Sequence, residues 1–527
     1  MHDAGTDVNI LEEVDQIRSV NPNTGQVLGT LPVCSESQVR AAVVRARAAQ
    51  PAWAARSLRE RIKVMEQIQE ALVDHVDDIV SLVSQEMGKG ESEALVGDAL
   101  LVLTNLTGYL KLAPKVLRIR KQRQGLLHST KRTYIVPTPL GVVAVISPYN
   151  YPVLLTMQST FAALLAGNAV VNKPSEYTSL TAIKIKDILY QTDLPRDLFQ
   201  VVTGRGETGW ALAHAGVDHI AFVGSCQTGR KIAGAAGEQL IPATLELGGN
   251  NAMIVLDDAQ LDRAVDGVLT YAYAANGQTC GSVARLYVQE PVAEAFIRRL
   301  QTRMAGLRTA TEVRPGACEI TALVNDVTLA KVERHVQSAL EGGARLLCGG
   351  ERLEGTTAPI YKPTVLLDTS PDMEVMREET FGPVLNVVRV KDDDEALRLA
   401  NATPYGLTAS VWSRDKERAW KLACRLEVGT VAVNDHLWPF FAPEAPWGGI
   451  KSSGMGRIGG EWGLQSMTFP KAISYDRINL PREFYWSPRP TWMHTVFRQA
   501  IPLLYSRQIR KKLAALTRLI SLIGSSR

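Results

Sequence analysis

Four short segments of this 527-residue chain hold side chains suited to covalent and proton-transfer chemistry. Gly277-Gln-Thr-Cys-Gly281 offers a thiol, Cys280, between glycines that let backbone and ligand approach closely. A lone cysteine is more often a small buried hydrophobe than a nucleophile, so the flanking residues carry the argument. With an ordinary thiol pKa of about 8.5, only a few per cent is thiolate at neutral pH, and a nucleophile there needs a base or a local shift. Leu245-Glu-Leu-Gly-Gly249 carries a carboxylate, Glu246, which in isolation reads as a strand-end group in a solvated turn. Ile146-Ser-Pro-Tyr-Asn-Tyr-Pro152 presents Asn150 between two prolines, where asparagine usually forms a turn. Asn172-Lys-Pro-Ser-Glu176 sets Lys173 and Glu176 about Pro174, by themselves a solvated pair worth a few tenths of a kcal/mol.

In this order the segments resemble the PWNxP, KPxE, LELGG and GQxC motifs of the aldehyde dehydrogenase superfamily. Phe222-Val-Gly-Ser225, Glu378-Glu-Thr-Phe-Gly-Pro-Val384 and Pro446-Trp-Gly-Gly-Ile-Lys-Ser-Ser-Gly454 match as well. The similarity runs from about residue 18 to 480, and parts of it resemble bacterial succinate-semialdehyde dehydrogenases. The resemblance implies that Cys280 attacks an aldehyde and that Asn150, with the Cys280 N–H, forms an oxyanion hole. One such donor is typically worth about 3–4 kcal/mol. It makes Glu246 the general base that turns water on the thioester, best served by a pKa raised through burial. It assigns the cofactor to Ser147, Lys173, Glu176, Gly224, Ser225, Glu379 and Phe381. Lys173 and Glu176 would hold the adenosine ribose, Ser225 the pyrophosphate and Glu379 the nicotinamide ribose, with Phe381 beside the ring.

NAD is expected over NADP, because Glu176 accepts from a ribose 2′-OH and repels a 2′-phosphate. There is no GxGxxG; Gly224-Ser-Cys-Gln-Thr-Gly229 alone is a weak phosphate signal, equally a plain strand-to-helix turn. Tyr149 replaces the usual tryptophan, which points to a changed substrate-tunnel wall. Gln227, Asn250 and Val223 are further departures. A CoA-acylating relative would lack Glu246, and a non-catalytic scaffold would be expected to lose Cys280, Asn150 or Glu246. No arginine is assignable to a distal carboxylate, since Arg285 is commonly arginine across the superfamily. An apolar or lipid-derived aldehyde therefore stands against succinate semialdehyde or another short aldehyde as substrate.

The elements that position these residues alternate in type. Two helices, 35–50 and 57–87, open with capping boxes from Ser35 to Gln38 and from Ser57 to Glu60. Apolar runs at 141–146, 169–172, 199–204, 219–224 and 252–256 read as strands buried on both faces. A second alternation continues through 285–288, 384–390 and 430–434. The expected fold is α/β: a Rossmann-like cofactor domain (1–124 and 142–245) and an α/β catalytic domain (246–464). Bridging oligomerisation arms (125–141 and 465–480) imply a homodimer or homotetramer, followed by a tail at 481–527.

Composition narrows the class. With 46% hydrophobic and 21% charged residues, the chain reads as ordinary globular protein. Its six cysteines form no CxxC pair and its histidines no ligand spacing, so neither disulfides nor metal are expected, and the compartment reads as cytoplasmic. The N-terminus lacks an apolar h-region, and no run of about 18 apolar residues requires a membrane span. The net charge of +4 hides +8 beyond Phe484, where no acidic residue occurs; a body at −4 is no nucleic-acid binder. In that tail Phe484, Tyr485, Trp486, Trp492 and Phe497 precede one expected helix starting at Pro502. Tyr505, Ile509, Leu513, Leu516, Ile520 and Ile523 form its apolar stripe. Arg507, Arg510, Lys511 and Arg518 fall mostly opposite, and Lys512 lies near the boundary. The pattern fits peripheral contact with an anionic membrane through 484–527, and equally packing on a neighbouring subunit.

Overall fold

Ser35 and Ser57 start the first two helices as their sequences predict. Each hydroxyl accepts from the N–H three residues on, and that residue's side chain accepts from the serine N–H. Helix Glu36–Ala55 runs on through Pro51. The helix expected over 57–87 is instead two, Leu58–Asp74 and Val76–Met87, because His75 leaves helical geometry at φ −111°, ψ 17°. The computed structural model describes residues 15–124, 130–479, 481–483 and 486–524; the expectations for Phe484, Tyr485 and Arg527 lie outside them. Two compact units result, Met1–Arg118 with Pro137–Lys471, and Ile119–Val136 with Ala472–Arg527.

The first unit is built on two sheets. In the six-stranded sheet the order is Gly454–Met455, Ala243–Leu247, His219–Gly224, Val142–Ile146, Ala169–Lys173, Phe199–Val201, parallel except for the first. Val142–Ile146 sits where the order reverses, so a crevice opens beyond its carboxyl end, the usual ligand site of such sheets. The seven-stranded sheet runs Arg345–Cys348, Thr364–Leu367, Val384–Val390, Val283–Gln289, Asn251–Val255, Thr408–Trp412, Thr430–Val433, with only the first strand antiparallel. The run at 252–256 belongs to this second sheet. Only Gly248, Gly249 and Asn250 separate it from Ala243–Leu247.

The helical run Glu91–Val116 is long and apolar enough to cross a membrane by length and composition, although Glu91, Glu93, Asp98, Lys111 and Lys115 interrupt it. Half of its most apolar stretch is buried, with Leu101, Val102, Leu106 and Tyr109 in the core. It is a core helix. A π turn, Leu95–Leu100, interrupts it.

In the second unit, Arg120–Lys121, Lys131–Pro139 and Thr468–Asp476 contribute to a three-stranded sheet. Lys131 pairs there with Asp476 and Glu483, and Tyr134 stacks on Tyr475. The tail forms two helices, Trp492–Tyr505 and Ile509–Gly524, packed on each other. This corrects the single helix from Pro502: that proline lies inside the first helix, and the chain breaks at Ser506, which turns extended at ψ 137°. The Ser506 hydroxyl then accepts from the Gln508 N–H, which helps open the second helix. The side chain of Ile523 lies outside the described residues.

Candidate active site

The site forms where strand carboxyl ends of the six-stranded sheet meet loops that enter strands of the seven-stranded one. From the first come Pro148–Asn150 after Val142–Ile146, Gly224 and Ser225 after His219–Gly224, and Glu246 near the end of Ala243–Leu247. From the second come Cys280 before Val283–Gln289, and Glu379 to Phe381 before Val384–Val390. These residues line one cavity of about 240 Å³. The structure therefore brings together Asn150, Gly224, Ser225, Glu246, Cys280, Glu379 and Phe381.

The Cys280 turn is held under strain. Ala275, Asn276 and Gly277 all have positive φ (49°, 59° and 74°), a region that L side chains rarely adopt. A Cβ on Gly277 would stand 2.1 Å from the Gly382 carbonyl oxygen, so glycine is required there. Asn276 secures the turn by donating to Thr321 Oγ1 and the Ala322 carbonyl and accepting from the Thr321 N–H. Asn251 donates to the carbonyls of Cys280 (2.7 Å) and Ser282 (2.8 Å). Asn150 is buried and spends one amide N–H on the Gln278 carbonyl at 2.8 Å, leaving the other.

Burial dominates the electrostatics. Cys280 is enclosed, and burial, then Glu379, then Glu246, push its thiol up to about 12. Neither carboxylate oxygen of Glu246 has a hydrogen-bond partner, and burial lifts this acid well above the carboxylate range, against a weaker pull from Arg457. Burial raises Glu379 to about 7, opposed by the Gly249 N–H that it accepts at 3.0 Å. A Cβ on Gly248 would meet the Glu379 carboxylate at 2.2 Å, so the bare backbone lets that side chain in. Asn250, where lysine is common in the resembled motif, donates to the Met376 and Glu378 carbonyls and so ties this loop down.

The remaining expected residues behave differently. Ser147 is buried and its hydroxyl accepts from Thr156 and Asn172, so it supports the loop from beneath and does not line the cavity. Lys173 is buried beside Glu176, Nζ to Oε2 3.8 Å, and burial lowers the lysine pKa against the pull of Glu176 and Glu207. Ser225 caps helix Cys226–Glu238 by accepting from the Thr228 N–H, leaving first-turn N–H groups for an anion. A Cβ on Gly229 would strike Leu247 at 2.5 Å, so glycine lets that helix lie close on the sheet. Tyr149 lines the cavity of about 240 Å³, edge-on to Phe381 and Tyr177.

A second cavity, about 180 Å³, reaches Cys280 from the other side. Tyr151, Tyr271, Leu437, Phe440, Phe441 and Trp447 give it apolar walls, and Glu93 is its only acidic or basic side chain. Sequence reasoning quoted Tyr151 and Trp447 inside motifs without giving them a role, and it missed Glu93, Tyr271, Leu437, Phe440 and Phe441. Cys280 alone lines both cavities. Arg285 reaches neither; it is buried and donates to the Asn250, Leu399 and Ala400 carbonyls. Among the described residues, His335, Glu374 and Glu378 are the one trio whose donor atoms converge as a metal site would need. Arg334 already pairs with Glu374 there at 3.0 Å, and the trio lines neither cavity.

Comparison with known proteins agrees with this arrangement. The model of the aldehyde dehydrogenase family matches residues 10–473. The 4,4'-diapolycopene aldehyde oxidase of Methylomonas sp is 36% identical over 490 residues, covering 93% of this chain and 91% of that protein. A putative succinate-semialdehyde dehydrogenase [NADP(+)] of Mycolicibacterium smegmatis is 37% identical over 456 residues, covering 86% and 88%. The crystal structure of a Mycobacterium tuberculosis aldehyde dehydrogenase complexed with NAD+ aligns at a TM-score of 0.83 and 31% identity, covering 87% of this chain and 94% of that one. The chain belongs to the aldehyde dehydrogenase family.

Proposed function

We propose that this chain oxidises an uncharged, apolar aldehyde to its carboxylic acid on Cys280, with NAD as preferred hydride acceptor. One observation carries the reading: Cys280 alone lines both the cavity that holds Glu246 and Glu379 and the apolar cavity opposite. The aldehyde enters from the apolar side, and the Cys280 thiol gives up its proton to solvent as the sulfur attacks the carbonyl carbon and the C=O π pair moves onto oxygen. Asn150, through its remaining amide N–H, and the Cys280 backbone N–H hold the oxyanion. The nicotinamide dinucleotide, when bound, accepts the hydride that converts this adduct to a thioester. Glu246, unpaired and lifted by burial, takes a proton from water so that it can attack the thioester. The cavity that holds Glu246 and Glu379 fits such a group: Gly224 and Gly248 lend bare backbone, Glu379 offers an acceptor for hydroxyls, and Lys173, paired with Glu176, ends the strand beside Ile146 outside that lining.

The apolar walls and half-buried Glu93 disfavour an aldehyde bearing a second carboxylate. Assays over aldehydes from succinate semialdehyde to diapolycopene aldehyde test this directly; highest kcat/KM for succinate semialdehyde would overturn the substrate class. We assign 1–124 with 142–245 to cofactor binding, 246–464 to catalysis and 125–141 with 465–480 to assembly as dimer or tetramer, which light scattering in solution checks. The tail supports a further reading, reversible attachment of a cytoplasmic enzyme to an anionic membrane. Ile501, Tyr505, Ile509, Leu513, Leu516 and Ile520 are exposed on its helices, and no acidic residue follows Glu483. Each basic residue near such a surface contributes about 1 kcal/mol. Co-sedimentation with anionic vesicles, full-length against a version ending at Arg482, should show binding only by the former; equal, negligible binding by both would leave a packing role.

A further inference from the structure

We propose that the buried pair Lys89–Asp98 is a positioning device that sets Asn150, and so the oxyanion hole, from behind. Neither side chain has any exposed surface, and Lys89 Nζ stands 2.6 Å from Asp98 Oδ2. The ammonium also donates to the Asn150 carbonyl at 2.9 Å and lies 4.1 Å over the centre of the Tyr151 ring. Asp98 Oδ1 accepts from the N–H groups of Val153 and Leu154 at 3.0 and 3.3 Å, in the first turn of helix Pro152–Ala166. One ion pair therefore grips the chain on both sides of Asn150–Pro152, at the carbonyl before the helix and at the amides inside it. Asn150 itself keeps only the Gln278 bond through its side chain, which fixes the amide's tilt but not the depth of the backbone that bears it.

The local fold serves this grip. Gly88 takes φ 83° to end helix Val76–Met87 and turn Lys89 inward, and the Ser84 hydroxyl fixes the Lys89 carbonyl at 2.7 Å. Asp98 is supplied by the π turn Leu95–Leu100, whose extra residue re-aims the side chains that follow. A buried pair of this kind is seldom retained for stability, since apolar replacements are often as stable. Displacing a reacting group by about 1 Å, in contrast, costs about a hundredfold in rate. Lys89 and Asp98 touch neither substrate nor cofactor, and their role rests on the reading of Asn150 as oxyanion donor.

The test is a double-mutant cycle with the full-length enzyme, in which Lys89→Met and Asp98→Asn are made together so that neither partner of the pair is left charged. We expect kcat to fall about ten- to a hundredfold, with the KM for NAD and the iodoacetamide reactivity of Cys280 within about twofold of wild type. Alkylation needs the thiol but no oxyanion hole, so a collapsed site would change both. In an Asn150→Ala background the same pair of changes should cost less than about threefold more, because the donor being positioned is gone. Wild-type kcat in the neutral-pair variant, or full multiplicative loss in the Asn150→Ala background, would overturn the device. Wild-type turnover by Asn150→Ala alone would overturn the reading of Asn150 instead. Should the neutral pair not fold, Lys89→Arg keeps the charge but replaces the compact ammonium with a planar head; it should show the same pattern at smaller size, and unaltered kcat there would count against the proposal.

Discussion

Raising the pH of the cofactor-free enzyme should activate Cys280 without reaching a plateau. Burial, with Glu379 and Glu246 adding to it, moves the thiol from an ordinary 9.0 to about 12. That displacement is worth about 4 kcal/mol in favour of the neutral thiol, and it cuts the thiolate at pH 7 from about one in a hundred to about one in 10⁵. Iodoacetamide trapping, followed by mass spectrometry of the peptide containing Gly277–Gly281, measures this fraction directly. The rate should rise about tenfold per pH unit from 6.5 to 10, and exposed Cys424 should be alkylated first at neutral pH. Adding NAD should accelerate the reaction at pH 7, because a cationic ring beside Cys280 opposes the two carboxylates. Glu246→Gln should not slow it, since that carboxylate pushes the thiol up. A plateau below pH 9 in the free enzyme would refute the reasoning: the site would then lower the thiol pKa by a contact that outweighs burial.

Glu246→Gln should give one burst of reduced cofactor per site and then stall, seen by stopped-flow absorbance; sustained turnover would remove Glu246 from the water-activating role. Because the folded pKa of Glu246 lies above its unfolded value, the stability it contributes is full below about pH 4.5 and is lost as pH rises through the folded pKa. The melting temperature of Glu246→Gln relative to wild type should therefore shift in the variant's favour between pH 4 and 8; a constant difference would contradict the raised pKa. NADP should show at least about tenfold lower kcat/KM than NAD, since two like charges about 4 Å apart near a surface repel by up to about 4 kcal/mol before relaxation. Glu176→Ser should bring the ratio toward one, and equal efficiency in the wild type would show that Glu176 does not discriminate. Phe440→Asp should reduce kcat/KM for long apolar aldehydes by more than tenfold while leaving the KM for NAD unchanged, because the side chain lines only the aldehyde-side cavity.

The sequence displays what is local and hides what is assembled. Both capping boxes were legible because each needs only a serine and a glutamine or glutamate three residues on. The buried parallel strands were legible as unbroken apolar runs, and Val384–Val390 matches its expected 384–390. Thr364–Leu367 and Thr408–Trp412 escaped notice: runs of four and five residues are too short to mark a strand until neighbouring strands flank them. Which strands flank Asn251–Val255 was equally hidden, since pairing with Val283–Gln289 and Thr408–Trp412 is non-local. Within the site, the residues in short ordered motifs were found. The aromatic walls were not assigned, because Tyr151 and Trp447 sit in motifs that single out other residues, and Tyr271 and Phe440 lie in no motif at all. Lys89 and Asp98 were passed over for the same reason: one lysine and one aspartate nine positions apart look like solvated surface until both are seen buried.

The cost of the site explains why asparagines cluster about it. Ala275, Asn276 and Phe381 hold positive φ, each at about 1 kcal/mol or more, and Glu246 keeps two buried oxygens without partners. None of this favours folding, so the surrounding chain must define these conformations more than once. Asn250 ties the loop before Val384–Val390, Asn251 ties the Cys280 turn, and Asn276 ties the residues before that turn to Thr321 and Ala322. Each uses a side-chain amide to satisfy carbonyls that no strand or helix could reach, and each leaves the reacting groups untouched. Gly248, Gly249 and Asn250 join the strand that bears Glu246 to Asn251–Val255, and Asn251 at the start of that strand holds the Cys280 carbonyl, so one short stretch of chain ties the two reacting residues together across the sheets.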